Sequence, residues 1–89
     1  MWSVEESENF RLQIEALGSA GYDCSESLRA IRWYLARGPL DVGYPTQDVE
    51  VRILIMDTPG DLPSLKVFYV VEPDKVILLS VRVAAPLTL

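Results

Sequence analysis

The stretch that decides the fold runs from Val49 to Val83 and reads VEVRILIMDTPGDLPSLKVFYVVEPDKVILLSVRV. It contains three apolar segments, at about 49–56, 65–71 and 76–83, separated by turns rich in Pro and Asp. The first segment alternates β-branched residues with other side chains, which is the period of a strand with one deeply buried face. Because the connections are short, neighbouring segments are expected to pair antiparallel. The sequence therefore predicts a three-stranded meander.

The second and third of these strands are apolar on both faces. An antiparallel sheet that is covered on one side normally carries polar residues on the other side. Some apolar side chains must therefore lie outside the main core, namely Phe68, Val70 and either Leu78 or Leu79. The uncharged tail at 84–89 adds Leu87 and Leu89. Either the tail folds back over this second face, or Phe68, Val70, Leu87 and Leu89 contact a partner, and the two arrangements are compatible.

Two amphipathic helices precede the strands. Apolar residues recur at helical spacing in two groups, which are Phe10, Ile14 and Leu17, and then Leu28, Ile31 and Leu35. The pattern predicts helices at about 5–18 and 25–37, joined by a Gly-rich loop into an antiparallel hairpin. The order is (β)ααβββ, an α+β fold in which the hairpin packs on one face of a small antiparallel sheet, and the whole of 1–89 is expected to be one domain.

The start of the first helix has more than one candidate. Residues 3–6 fit a capping box, while Ser7 is a second candidate N-cap and residues 2–4 are candidates for a short edge strand. In the second helix, Trp33 and Tyr34 flank the apolar stripe and are interpreted as core or rim aromatics.

Composition excludes several kinds of chemistry. The 89 residues include no histidine, so neither His-based acid–base catalysis nor His metal ligation is available. The single cysteine, Cys24, allows no internal disulfide and no thiolate metal cage. We expect no cofactor and no metal. The net charge of −5 means that any contact with nucleic acid must be local. No secretory signal and no apolar run near ~20 residues is present, so we expect a cytoplasmic protein without membrane contact.

The order of elements resembles the RelE/ParE family of bacterial toxin–antitoxin toxins. The stretches that carry this resemblance are Gly43–Pro45, Val49–Ile53, Ser64–Val71 and Val76–Val81. Lys66 stands where the family carries a strand arginine, and Tyr69 stands where it carries a closing tyrosine. The resemblance implies one of two activities, since RelE-like members are ribosome-dependent mRNA endoribonucleases and ParE-like members inhibit gyrase. It also implies an antitoxin that wraps the toxin surface.

Arg52, Lys66 and Arg82 are the candidate catalytic residues for the endoribonuclease activity. RNA cleavage at a 2′-hydroxyl requires a proton acceptor and cations that stabilise the charge of the transition state. A two-residue turn at 73–74 would place Lys66 and Arg82 on opposite faces of the sheet, whereas a loop with an odd number of residues or a bulge would place them together. The sequence leaves both alternatives open.

The sequence departs from the endoribonuclease pattern in two places. Glu50 occupies a position where the resemblance implies a basic residue (Lys or Arg), and no charged residue follows Arg82. The leading expectation is therefore a toxin-fold protein that acts mainly by protein binding, with an antitoxin, a second copy of itself or a target such as gyrase as partner. One alternative is an endoribonuclease acting on ribosome-bound mRNA through Arg52 and Lys66, and another is an inactive relative or structural interaction module.

Overall fold

A computed structural model describes residues 1–57 and 64–84. These residues form two helices and five strands. The elements in chain order are β1 (Ser3–Glu6), α1 (Glu8–Ser19), α2 (Ser25–Arg37), β2 (Tyr44–Pro45), β3 (Val51–Met56), β4 (Leu65–Val71) and β5 (Lys75–Val83).

The five strands form one sheet in the order β1-β5-β4-β3-β2. Strands β3, β4 and β5 are consecutive antiparallel neighbours, which confirms the predicted meander and the α+β class. The sheet is mixed rather than wholly antiparallel, because β1 pairs parallel to β5, from Ser3 opposite Lys75 to Glu6 opposite Leu78. The two-residue strand β2 adds a second edge beside β3.

The first helix begins later than the predicted residue 5. Residues 3–6 do not form a capping box, because their backbone pairs with β5. Ser7 is the N-cap instead, and its side-chain oxygen accepts a hydrogen bond from the Phe10 amide at 3.1 Å. The second helix has the predicted bounds, and the Asp23 carboxylate accepts from the Ser25 amide at its start.

The first strand of the meander begins at Val51 rather than at residue 49. The Val51 amide donates to the Asp48 carbonyl, and the Val51 carbonyl accepts from the Thr46 amide. These bonds close a turn that contains Val49 and Glu50, so the alternation in the sequence runs two residues beyond the strand itself.

The core lies between the helices and one face of the sheet. Helix α1 packs on β5, and α2 lies against β1. Fully buried side chains from both layers meet there; they are Phe10, Ile31, Leu35, Val67, Tyr69, Val76 and Leu78. Burying a large apolar side chain contributes about 1.5–3 kcal/mol, so this layer supplies most of the favourable free energy of folding.

Arg32 of α2 connects this helix to β1 through hydrogen bonds. Its guanidinium donates to the Val4 carbonyl at 3.1 Å and also bonds to the Glu6 carboxylate. The Trp2 amide adds a bond of 2.8 Å to the carbonyl of Ala36 near the end of α2. Arg32 is therefore half-buried and links α2 to the edge strand.

Strand β5 contains a β-bulge at Leu79. Phe68 pairs with Ser80 and Tyr69 pairs with Leu78, so Leu79 has no partner on β4. Side chains at the start of α1 take up the backbone groups that the bulge frees. Ser7 and Asn9 both donate to the Leu79 carbonyl, at 3.0 and 3.1 Å. An extra residue in one strand reverses which face the following side chains occupy, so the bulge sets the face for residues 80–83.

Gln13 of α1 also binds the backbone of β5 next to the bulge. Its replacement by Ala is expected to destabilise the fold. The Gln13 side-chain oxygen accepts from the Val81 amide at 2.7 Å, and Val81 is buried. Gln13→Ala leaves that amide without its partner and should lower the free energy of unfolding by about 1–3 kcal/mol. Urea denaturation measures the change. The exposed α1 residue Glu15 is the control, and equal stability of Gln13→Ala and Glu15→Ala would contradict this account of the bulge.

Candidate functional site

The side of the sheet that faces away from the helices is called the open face. Leu54, Val67 and Tyr69 are buried on the helix side, so their neighbours along each strand point to the other side. Register places nine side chains on the open face, namely Val51, Ile53, Ile55, Lys66, Phe68, Val70, Ile77, Ser80 and Arg82. Most of them are half-buried, while Ile55 and Arg82 are exposed. The open face is an apolar patch with two cations at one end.

The bulge brings Lys66 and Arg82 together. They are direct cross-strand partners, and the turn at 73–74 still pairs Val71 with Val76. The register at the turn is thus the one expected for a two-residue loop, and the bulge further along reverses the outcome for Arg82. The Arg82 guanidinium carbon lies 5.8 Å from the centre of the Phe68 ring, which is within cation–π range.

Within residues 1–57 and 64–84, neither Lys66 nor Arg82 forms an ion pair. Asp57 follows the end of β3, near this end of the face. Its carboxylate accepts a hydrogen bond of 2.8 Å from the Ser64 hydroxyl. Among the described side chains, no carboxylate therefore neutralises the two cations.

Arg52 lies on the opposite side of the sheet from Lys66 and Arg82. It pairs with Tyr69, whose side chain is fully buried on the helix side. The Arg52 Nε donates to the Tyr69 hydroxyl at 3.3 Å. One terminal nitrogen of Arg52 lies 3.3–3.4 Å from the carbonyl oxygens of three loop residues, namely Leu40, Val42 and Gly43. The three candidate catalytic residues therefore do not form one cluster.

The loop that Arg52 holds is also fixed by Tyr69 and Gly43. The Tyr69 hydroxyl is 2.8 Å from the carbonyl oxygens of both Pro39 and Val42. Gly43 has a φ of +75°, and a Cβ at this position would lie 2.5 Å from the Ile53 carbonyl oxygen and 2.7 Å from the Tyr69 hydroxyl. Only glycine fits both the backbone angle and the space. Tyr69, which stands where the resembling family carries its closing tyrosine, thus connects the sheet to this loop.

Two of the four candidate partner-binding residues lie on the open face. Phe68 and Val70 are half-buried side chains of β4. Leu87 and Leu89 lie outside the described residues. Sequence reasoning missed Ile53 and Ile77, which lie beside Phe68 and Val70 in register. The signal was present for Ile53 in the alternation of β3, but assigning a face to Ile77 required the pairing of β5.

An ion pair between Lys75 and Glu5 borders the open face at its β1 edge. The Lys75 ammonium lies 3.4 Å from the Glu5 carboxylate. Hydrogen bonding to Glu5, with a further contribution from nearby acidic side chains, raises the pKa of Lys75. At the opposite edge, Tyr44 of β2 pairs with Ile53 and is largely exposed.

Cys24 lies in a shallow depression between α1 and α2, away from the sheet. The depression has a volume of about 390 Å³ and is lined by Ile14, Tyr22 and Leu28 among others. Burial, reinforced by the negative charge of Asp23, raises the pKa of the Cys24 thiol. At neutral pH the side chain is a protonated thiol and acts as a small apolar residue.

The described residues offer no other obvious chemistry. Among residues 1–57 and 64–84, no three His, Cys, Asp or Glu side chains are grouped so that they could hold a metal ion. Neither described helix has the length and apolar character to cross a membrane.

Comparison with known structures supports the fold. The solution structure of the conserved hypothetical protein HP0894 from Helicobacter pylori matches this chain with a TM-score of 0.58 at 20% sequence identity. The match covers 93% of this chain and 94% of that protein. No family model matches the sequence, and comparison with curated proteins gives no significant match. At this level of identity the structural likeness shows a shared α+β fold and no more.

The placement of Arg52 predicts that its replacement affects stability. Arg52→Ala removes hydrogen bonds to the loop and to Tyr69, and should lower the free energy of unfolding by about 1–3 kcal/mol. Lys66→Ala removes a cation that makes no ion pair in the described chain, and should change stability by no more than about 0.5 kcal/mol. Chemical denaturation of both variants measures the difference. Equal stability of Arg52→Ala and the wild type would show that Arg52 does not hold the loop.

The placement of Cys24 predicts slow alkylation. Because its thiol has a raised pKa and is buried, iodoacetamide at pH 7.5 should react with the folded protein at least ~10-fold more slowly than with the urea-unfolded chain. The rate for the folded protein should rise as the pH increases. Mass spectrometry of timed samples gives both rates, and similar rates for folded and unfolded chains would contradict the described burial.

Proposed function

We propose that this chain is a RelE/ParE-like protein of a toxin–antitoxin type system that acts mainly by binding protein through its open face. The observation that carries the proposal is the composition of that face, where apolar side chains from three neighbouring strands form a patch with Lys66 and Arg82 at one end. A contiguous apolar surface of this kind is typical of a protein interface.

The partner that fits the open face is an antitoxin segment with apolar and acidic residues. Apolar side chains would pack on Ile53, Phe68 and Val70, and a carboxylate would pair with Lys66 and Arg82. Charge complementarity supports this partner, because the two cations have no ion-pair partner in the described chain. The chain as a whole carries a net charge of −5, so the cationic end provides a local point of attraction that sets the register of such a segment.

The size of the face supports an extended partner. Three strands span about 10 Å across and about 20 Å along their length. That area is well below the roughly 800 Å² per partner of a standard interface. A partner that binds tightly must therefore continue past the open face onto other surfaces, as a wrapping segment does and a small globular contact does not.

A second candidate function is cleavage of ribosome-bound mRNA. The direct pairing of Lys66 with Arg82 favours it, because two adjacent cations can stabilise a developing phosphorane charge. Arg52 takes no part in this arrangement, since it lies on the other side of the sheet. The nearest described carboxylate at this end, Asp57, accepts a hydrogen bond from Ser64. The pair supplies electrostatic stabilisation but no evident proton acceptor, and this is why protein binding is the leading proposal.

Expression in a bacterial host tests the proposal. The wild type should slow growth while cellular transcripts stay intact. Phe68→Glu removes the apolar ring and places a carboxylate beside Arg82, where it competes with a carboxylate of the partner, so it should restore growth to at least about 80% of the uninduced rate. Leu12→Glu is the matched control, since Leu12 is an exposed leucine of α1, on the other side of the molecule. It should slow growth as the wild type does.

Other outcomes would contradict the proposal in different ways. Transcript cleavage that disappears in both Lys66→Ala and Arg82→Ala would establish the endoribonuclease instead. Normal growth on induction of the wild type, with a folded product, would indicate an inactive relative. Equal growth arrest by Phe68→Glu and the wild type would exclude the open face as the surface that contacts a cellular target. Circular dichroism of each purified variant separates these outcomes from loss of folding.

A further inference from the structure

Helix α2 carries two exposed aromatic residues on its outer side. Trp33 is 52% exposed and Tyr34 is 44% exposed, while Ile31 and Leu35 of the same helix are fully buried. The two aromatic rings contact each other edge to face, with centroids 5.2 Å apart. Both residues therefore lie at the rim of the core, and neither is a core residue. An exposed tryptophan that is already packed in a fixed position is a common anchor in protein interfaces.

The aromatic pair forms part of a shallow depression on the helix surface. Its lining residues are Glu26, Arg29, Ala30, Trp33 and Tyr34, and its volume is about 480 Å³. Most of the lining surface is apolar, from Ala30 and the two aromatic rings. We call this depression, together with the adjacent Arg37, the α2 patch.

Arginines flank Trp33 on both sides along the helix. The Arg37 guanidinium carbon lies 4.0 Å from the centre of the Trp33 ring, and one Arg37 nitrogen donates to the Trp33 carbonyl. Arg29 lies one turn before Trp33. Within the described ranges neither Arg29 nor Arg37 forms an ion pair, whereas Arg32 of the same helix is paired with Glu6.

The charge pattern selects among possible occupants of the α2 patch. In an antiparallel two-fold pairing of α2 centred on Trp33, Arg29 of one copy would lie near Arg37 of the other copy, which is repulsive. A nucleic acid presents a continuous row of phosphates, whereas the α2 patch offers two cations, Arg29 and Arg37, beside the carboxylate of Glu26. An acidic polypeptide can place its carboxylates at the two arginines alone and its apolar side chains on the aromatic depression, which suits this mixed surface.

We propose that the α2 patch binds an acidic amphipathic helix of a partner protein. Arg29 and Arg37 are eight residues apart, which corresponds to about 12 Å along the helix axis. The partner helix would therefore carry carboxylates about two turns apart, with one or two large apolar side chains between them that pack on Trp33 and Tyr34. This site lies on the helix layer, on the other side of the sheet from the open face, so the inference does not depend on the proposed function.

Binding of a synthetic peptide tests this site. The probe is a fluorescein-labelled 16-residue peptide, capped at both ends, with glutamates two turns apart and Leu and Phe between them on one side. A second peptide replaces each Glu by Gln. Fluorescence anisotropy with the full chain should show binding of the acidic peptide, about tenfold or more weaker binding of the Gln peptide, and weakening of the acidic peptide's affinity by salt.

Variants of the chain assign the binding to the α2 patch. Trp33→Ala and Arg37→Gln should each raise the Kd of the acidic peptide by about tenfold or more. Leu12→Ala and Arg11→Gln are the matched controls, since both residues are exposed on α1, and they should leave the Kd within about twofold. Phe68→Glu on the open face should also leave it unchanged, so failure of the proposed function and failure of this inference give different results.

Three results would overturn the inference. One is the absence of measurable binding of the acidic peptide at millimolar concentration, with the protein shown to be folded by circular dichroism. Another is an unchanged Kd in both Trp33→Ala and Arg37→Gln. The third is a different occupant, seen either as a dimer in light scattering that Trp33→Ala dissociates, or as tighter binding of oligo-dT than of the peptide.

Discussion

The bulge at Leu79 is the constraint on which the composition of the open face depends. Because side chains alternate along a strand, one unpaired residue decides whether Arg82 lies among the helix-side residues or beside Lys66. The bulge leaves the Leu79 carbonyl free to accept from Ser7 and Asn9, and the Val81 amide free to donate to Gln13. The start of α1 thus holds the bulge, and the bulge places both cations on the open face. A helix on one side of the sheet therefore determines the electrostatics of the other side.

The three basic residues Arg52, Lys66 and Arg82 therefore have different roles. Arg52 donates hydrogen bonds to Tyr69 and to carbonyl oxygens of the loop before β2. These bonds stabilise the path of the chain from α2 to the sheet. Lys66 and Arg82 make no ion pair in the described chain and lie on a surface that no described helix covers. Position in the sequence does not separate these roles, because all three residues are cations within or beside apolar strands. The face to which each side chain points separates them.

Much of the fold is readable from the sequence because local patterns and packing agree. The bounds of α2 follow from its apolar spacing and from Gly38-Pro39, and the meander follows from short turns between apolar segments. The presence of a second apolar face could also be predicted, since Phe68 and Val70 leave Lys66 as the one charged residue on that face of β4. The parallel pairing of β1 could not, because Ser3–Glu6 has a local pattern that equally fits a helix cap, and only its contact with β5 decides. The bulge is hidden for the same reason, as Leu79 is one apolar residue among several and the side chains that stabilise it are about 70 positions away.

The distribution of charge is the strongest argument for the proposal that this chain binds protein. Thirteen acidic residues against eight basic ones give the chain a field that repels phosphate, yet cations without ion-pair partners in the described chain occur beside apolar surface in two places. On the open face Arg82 lies over Phe68, and on α2 Arg37 lies over Trp33. A cation held against an aromatic ring keeps its charge at a fixed position while the ring remains available for apolar contact. Such a pair suits a partner that presents a carboxylate next to an apolar side chain, which is a feature of acidic polypeptides and not of a nucleic acid backbone.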